Sequence, residues 1–441
     1  MKKKPNTVRL NDCGLSLPVI VALVLCFSPI SYAAEKVKLD SPDKFNMLSA
    51  GSIKARGWTA RMLKEDSGGW VKTVMDISAN PDNKATEAFP PGKYYEPLIR
   101  DDKRTNFART AGGGLQGYWL YSVFNYGWVG GLEEYRQIGK ACMEDILAAY
   151  DKHGYIGLYD TSSAESAYRD DAYFEWGLGE ILLACLHYYE LTGDKRVLDA
   201  CSRTADRHMA VATPLDAKIR IYGATMYQFF ARLSMDTNNE AYLKWAESRE
   251  FLPKDHVIHN LWAKSEKAHF ENLHSAGVAI SLAGMLDIYR ASRDAKWLEG
   301  IHNQDEIVRH QFVDPTGAPL ATAERFRTRV DASQASHELC ASCLWMLFWS
   351  RMTGVTGKAS YGDYAEKVFL NQMQAARDKD GKAHCYFTAP NWPESVATSL
   401  PHYRYSYNTA WECCSGNYAR ALLNWLGRAA LISNDGRGIA V

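Results

Sequence analysis

One stretch of this chain keeps returning in altered form. Tyr188-Tyr189-Glu190-Leu191-Thr192-Gly193-Asp194-Lys195-Arg196-Val197-Leu198 is echoed by Ile288-Tyr289-Arg290-Ala291-Ser292-Arg293-Asp294-Ala295-Lys296-Trp297-Leu298. A looser copy runs from Phe348 to Gly354 and on through Tyr361 and Tyr364, and a degenerate one from Phe229 to Leu243. Each joins a helix with an aromatic end to a polar turn and then to a second helix. The apolar residues of Phe174 to Thr192 recur at three-to-four spacing, the period of a helix with a buried face. Intervals of about 40 to 60 residues fit helical hairpins set side by side. Such hairpins either stack as a solenoid or close into a toroid, and this length holds five or six of them. The expected fold is therefore all-α dominated, an (α/α)6 barrel over 115–433.

The ends of the chain read differently. Met-Lys-Lys-Lys, an apolar run from Leu15 to Ile30 and Ser31-Tyr32-Ala33 follow the pattern of a secretory signal peptide. The run is too short for a membrane span, so 1–33 is expected to be removed and the protein to be secreted, to the periplasm. What remains carries 47 basic and 50 acidic residues, a balance that gives no reason to expect a nucleic-acid partner. Residues 34–114, rich in Gly, Pro, Asn and Asp, are expected to form an irregular segment packed on the barrel, with a helix near Trp58. At the other end a helix from Ala419 to Ile432 leads through Asn434-Asp435-Gly436 into the strand-like Ile439-Ala440-Val441. A lone strand lacks a partner for its backbone, so 434–441 is expected to begin a truncated C-terminal β-sandwich domain. The many aromatics, 13 Trp and 25 Tyr among them, suit contact with carbohydrate as well as a large core.

Eight of the ten cysteines lie beyond the leader. Cys142, Cys185 and Cys201 fall among apolar residues of helical segments, where buried thiols are common. Cys413 and Cys414 are adjacent, and Glu338 and Cys340 lie upstream at the start of another apolar helix. Three thiols and a carboxylate are a full tetrahedral set for zinc. Two helix N-termini would also stabilise the thiolates through their exposed amides. The competing reading is a redox pair, or a disulfide to Cys343 or Cys385, and spacing does not choose between them. A zinc with four protein ligands leaves no open position for water, so attack by a ligand thiolate is the more natural chemistry. That attack needs a group to protonate the departing oxygen, as in a retaining glycosidase.

Five stretches give the chain a specific resemblance. They are Ile53-Lys54-Ala55-Arg56-Gly57-Trp58, Gly117-Tyr118-Trp119, Tyr188 to Leu198, Glu338-Leu339-Cys340-Ala341-Ser342, and Glu412-Cys413-Cys414-Ser415-Gly416-Asn417-Tyr418-Ala419-Arg420. Together they resemble the bacterial β-L-arabinofuranosidases, zinc- and cysteine-dependent retaining glycoside hydrolases with an (α/α)6 barrel and β-sandwich material. The resemblance implies Cys413 as nucleophile, Glu324 as acid/base, Zn2+ held by Glu338, Cys340, Cys413 and Cys414, and His274 on the sugar. It departs from the family at Gly179-Glu180, where some members have Gly-His facing the sugar, which puts Glu180 in a substrate-binding position. Trp411 stands where a third cysteine is found in others. The implied substrate is an oligo- or polysaccharide carrying β-L-arabinofuranosyl or a related sugar. The alternatives are an inactive glycan-binding remnant and another toroidal carbohydrate enzyme, such as an uronyl hydrolase or lyase.

Overall fold

The computed structural model describes residues 43–78, 106–157, 174–211, 224–248, 270, 273–322, 324–327, 335–389, 405–406 and 413–441. The expected leader, 1–33, and Trp411 lie outside the described residues. Thirteen helices carry the described part of the chain: α1 Gly57–Ser67, α2 Trp70–Ser78, α3 Asn106–Trp128, α4 Glu133–His153, α5 Phe174–Thr192, α6 Lys195–Val211, α7 Ala224–Thr237, α8 Glu240–Ser248, α9 Ser275–Ser292, α10 Ala295–Gln311, α11 Leu339–Thr356, α12 Ala359–Val368 and α13 Cys413–Gly427. The first long helix begins at Asn106, nine residues ahead of the expected barrel boundary, and α1 and α2 give the preceding segment regular structure.

Four of the hairpins share one turn. Thr192, Thr237, Ser292 and Thr356 end their helices, and after two intervening residues the next helix begins. The first turn residue is left-handed in each case: Gly193 (φ 73°), Asn238 (52°), Arg293 (62°) and Gly357 (71°). The second caps the following helix. Asp194 accepts from the Arg196 amide, Asn239 from Ala241 and Asp294 from Lys296, each at 3.0 Å. Side-chain capping satisfies amides that a helix start leaves unpaired, which is why Thr-Gly-Asp and Ser-Arg-Asp recur in the sequence. Lys358 is the exception and offers no such cap.

Contacts among α3, α5, α7, α9, α11 and α13 run in a closed cycle, with α13 returning to α3. Outside this ring α4 packs on α3, α6 on α5, α8 on α7, α10 on α9 and α12 on α11, while α1 and α2 lie against α13. The protein is a largely helical toroid. Burial follows the same division. In α11 only Leu347, Arg351, Thr353 and Thr356 escape full burial, whereas α4 buries one stripe, Tyr135, Gly139, Cys142, Met143, Ile146 and Leu147. A helix apolar on all sides belongs inside, and one with a single apolar stripe belongs on the rim. Among the described residues no helix is long and apolar enough to cross a membrane.

The β structure is slight. β1 Phe45–Met47, β8 Leu431–Ser433 and β9 Ile439–Ala440 make a three-stranded antiparallel sheet in the order β1-β8-β9. Two expectations are corrected here. The last helix stops at Gly427, and Leu431–Ser433 is a strand rather than its final turn. Ile439–Ala440 is not a lone strand: it folds back on β8 through a turn closed by the Ser433 amide on the Gly438 carbonyl at 2.8 Å. Sequence patterning missed this because it ran the helix through Leu431 and Ile432, the residues that pair with β9, and because β1, which pairs with the other edge of β8, lies almost four hundred residues away. Two-stranded ladders β2–β3 (Ala321–Thr322, Arg325–Phe326), β4–β6 (His337–Glu338, Phe387–Thr388) and β5–β7 (His384–Cys385, Tyr405–Ser406) complete the set.

Ring closure leaves little room between inner helices. A Cβ on Gly117 of α3 would stand 2.5 Å from the Glu180 carbonyl carbon of α5. Gly117→Ala should therefore destabilise the protein by about 1–3 kcal/mol through overpacking. On α12, Gly362 has only Thr353 within ordinary contact distance, so Gly362→Ala should stabilise by about 0.5–1 kcal/mol. Urea unfolding midpoints of the two variants should move in opposite directions; a shared sign would contradict this packing.

Candidate active site and metal centre

The N-terminal ends of α9, α11 and α13 bring their residues together. His274 is the N-cap of α9, and its Nδ1 accepts the Gly277 amide at 3.1 Å. That leaves Nε2 as the protonated nitrogen, 3.5 Å from Glu324 Oε2 and 4.0 Å from Glu338 Oε1. Glu338 is the N-cap of α11 and Cys340 lies in its first turn, while Cys413 and Cys414 open α13. The Sγ atoms of Cys340, Cys413 and Cys414 lie within 4.8 Å of one another, and ligand atoms of His274, Glu324 and Glu338 do the same.

Glu324 arrives from the tight β2–β3 hairpin. Its φ is +68°, a left-handed conformation that is unusual outside glycine. Two backbone bonds enforce it: the Glu324 amide donates to Ala321 O at 3.0 Å, and its carbonyl accepts from the Ser275 amide at 2.9 Å. The second bond ties the hairpin to the start of α9. Backbone strain held in this way by surrounding structure clusters at functional sites. The hydrogen bond from His274, joined by one from Tyr386, holds the Glu324 carboxyl below its usual range against the opposing effect of burial.

Sequence reasoning missed Tyr386. Its hydroxyl donates to Glu324 Oε1 and lies 3.6 Å from Cys413 Sγ, joining thiol to carboxylate. A tyrosine in Cys-Tyr-Phe carries no sequence signal, and only the β5 and β6 ladders bring it here. Asn417 and Arg420 stand in the cysteine motif but had no role read from it. Asn417 Nδ2 donates to Cys340 Sγ at 3.2 Å and its Oδ1 accepts from Arg420. Arg420 packs 4.3 Å over the Tyr118 ring and bonds Glu180 Oε2 at 2.9 Å. The Glu180 carboxylate is thus engaged by Arg420, and burial pushes its pKa up. Beneath the thiols His384 lies 3.3 Å from Ser415 and 3.4 Å from Asp66, pinning the first turn of α13 to α1.

The eight described cysteines are all free thiols, including Cys343 and Cys385. Seven are buried, and Cys413 alone keeps partial exposure. Hydrogen-bond contacts with Cys340 and Cys414, and a further one with the Tyr386 hydroxyl, hold the Cys413 thiol well below its ordinary pKa despite burial. Burial pushes Cys340 and Cys414 the other way. The reachable sulfur is therefore also the one of the three whose surroundings favour the thiolate, the nucleophilic form. Glu338 is 1% exposed and its Oε2 has no hydrogen-bond partner. Burial raises its pKa strongly, and the charges of Glu324 and Cys413 add to the effect. An orphaned buried carboxylate oxygen in a group that interacts with Cys340 and Cys413 is costly unless a cation completes the site. The donor set fits a thiophilic cation such as zinc.

The model of the family described as β-L-arabinofuranosidase, GH127 catalytic domain, matches residues 39–425. A non-reducing end β-L-arabinofuranosidase of Bifidobacterium longum subsp. longum is 22% identical over 282 residues, 56% of this chain and 43% of that protein. A solved GH127 β-arabinofuranosidase superposes with a TM-score of 0.64 at 14% identity, covering 90% of this chain and 63% of that one. A GH127 β-L-arabinofuranosidase from Geobacillus stearothermophilus T6 also gives 0.64, at 16% identity, over 88% and 67% of the two chains. The chain spans less than half of the bifidobacterial relative and under two thirds of the first of these structures. At such identities the structures attest the fold.

Zinc added to chelator-treated protein should bind at one equivalent per chain and raise the thermal midpoint. At a hundredfold excess over Kd the gain is about 2.7 kcal/mol. Glu338→Gln should weaken zinc binding, and Cys343→Ala, outside the thiol cluster, should not; calorimetric titration of both variants tests the ligand set.

Proposed function

The chain belongs to the β-L-arabinofuranosidase GH127 catalytic-domain family, and from that premise we propose that it is a retaining glycoside hydrolase acting on β-L-arabinofuranosyl or closely related residues of oligo- or polysaccharides. The observation that carries the reading is the Cys413–Tyr386–Glu324 connection, a thiolate and a carboxylate joined through one hydroxyl. On this reading the toroid is an (α/α)6 barrel, and the Met1–Ala33 pattern makes the protein an exported, periplasmic one.

Glu338, Cys340, Cys413 and Cys414 would hold zinc, whose positive charge keeps the sulfurs ionised and fixes their direction. The remaining steps belong to the chain. Cys413 Sγ attacks the anomeric carbon as the bond to the leaving oxygen breaks, and Glu324 gives that oxygen its proton. In the second half Glu324 takes a proton from water, the water oxygen attacks the same carbon, and the carbon–sulfur bond breaks to restore the thiolate. Two inversions give net retention. The second half leaves Glu324 protonated, as the next first half requires, and the hydrogen bonds from His274 and Tyr386 favour the carboxylate it becomes in between, the form the second half uses. Asn417, donating to Cys340, orients a sulfur that does not react.

General acid/base assistance is worth about 10²–10⁴ in rate. Glu324→Gln should lose that much kcat on an unactivated glycoside, and less on a nitrophenyl glycoside whose leaving group needs no proton. Cys413→Ala should be inactive on both, with anomeric retention seen by proton NMR in the wild type. Full activity of Cys413→Ala with an intact fold would instead favour a carboxylate-based toroidal enzyme of the uronyl hydrolase or lyase kind.

A further inference from the structure

The thiol cluster occupies the N-terminal ends of α11 and α13; a cavity of about 670 Å³ lies between the inner helices and β1, with Glu180 and Arg420 in its lining. None of the three clustered thiols lines it, nor do His274, Glu324, Glu338 or Tyr386. Its volume falls in the range of small-molecule sites. Its wall near β1 is built of guanidiniums from four elements: Arg232 of α7, Arg290 of α9, Arg351 of α11 and Arg428 just beyond α13.

Basic residues at helix C-termini offset the macrodipole, and that accounts for part of this arrangement. Three of the four arginines are also neutralised by side chains. Arg232 is bound by Glu190, Arg290 by Asp43 at 3.0 Å and Asp287 at 3.0 Å, and Arg351 by Asp287. Arg428 differs. Among the described residues it forms no ion pair, and its Nε has no hydrogen-bond partner. Burial, with Arg351 and Arg290 as like-charged neighbours, brings its pKa down to about 10, so it stays cationic at neutral pH. A closed structural network would not leave its last guanidinium facing a cavity beside two others. Arg428 is partly buried, and a carboxylate is the partner its fork geometry fits best.

The rest of the lining suits a sugar. Tyr121 stacks on His187 with ring centroids 4.1 Å apart, Trp128 and Phe348 add aromatic surface, and Gln228 and Asn424 supply neutral donors and acceptors. We propose that this cavity is a second binding site, for a small carboxylated saccharide of the uronic-acid class, whose carboxylate pairs with Arg428 and whose ring lies against the aromatic wall. The proposal is independent of glycosidase activity at the thiol cluster.

Calorimetric titration of the full chain with D-glucuronate, D-glucose and acetate tests it, in the wild type and in Arg428→Gln and Cys413→Ser. Glucuronate should bind at least about tenfold more tightly than either glucose or acetate. Arg428→Gln should lose about tenfold for glucuronate, weaken acetate as well and leave glucose unchanged, and Cys413→Ser should bind glucuronate as the wild type does. Should Arg428→Gln fail to fold, Arg428→Lys keeps the charge without the fork and should weaken glucuronate by a smaller factor. Equal binding of glucuronate and glucose, acetate as tight as glucuronate, no glucuronate binding, or loss of binding in Cys413→Ser would each overturn the proposal.

Discussion

Everything in this molecule depends on α13 closing back onto α3. An open stack of hairpins would leave the last inner helix with an apolar face in water. Here that face is covered by α3, with Gly416 meeting Tyr118 across the seam. Closure also settles where α13 begins. Cys413 and Cys414 are thereby delivered to Cys340, more than seventy residues away in the chain, and to Tyr386 and Glu324 on short ladders between helices. The same closure makes approach distances between inner helices unforgiving, as Gly117 against Glu180 illustrates.

A second consequence is the division of labour between the two ends of the toroid. Helix N-termini with exposed amides suit sulfur and carboxylate anions, and the thiols and Glu338 are found there. The C-terminal halves carry the arginines. Between them runs a polar thread from Glu180 through Arg420 and Asn417 to Cys340 Sγ. A buried network of this kind orients the group at its end when every member is satisfied. It explains why Arg420 and Asn417 occur in the cysteine motif although their bonds run to Glu180 and Cys340 rather than to Cys413 or Glu324.

Much of the architecture was legible in the sequence because hairpin turns are local. Thr192-Gly193-Asp194 and Ser292-Arg293-Asp294 end one helix and cap the next with atoms only two residues apart, so their repetition could be seen without tertiary information. The clustering of Cys340 with Cys413 and Cys414 was one of two readings that residue chemistry allowed, a redox pair or disulfide being the other, and the structure brings the three sulfurs together. The pairing of Leu431–Ser433 with Phe45–Met47 was not legible, since those strands come from opposite ends of the chain. Tyr386 was also invisible: nothing in its neighbours marks it, and its hydroxyl matters only because two ladders aim it between Cys413 and Glu324.

The sequence by itself determined the helical hairpins, the turn chemistry that joins them and the set of sulfur and carboxylate groups from which a site could be made. Those follow from short-range periodicity, capping and donor type. Tertiary structure alone decided which sulfur is reachable, which carboxylate oxygen is left without a partner and which arginine faces a cavity unpaired. Exposure, orphaned atoms and unbalanced charge are properties of what surrounds a group, and in a closed ring those surroundings come from distant parts of the chain.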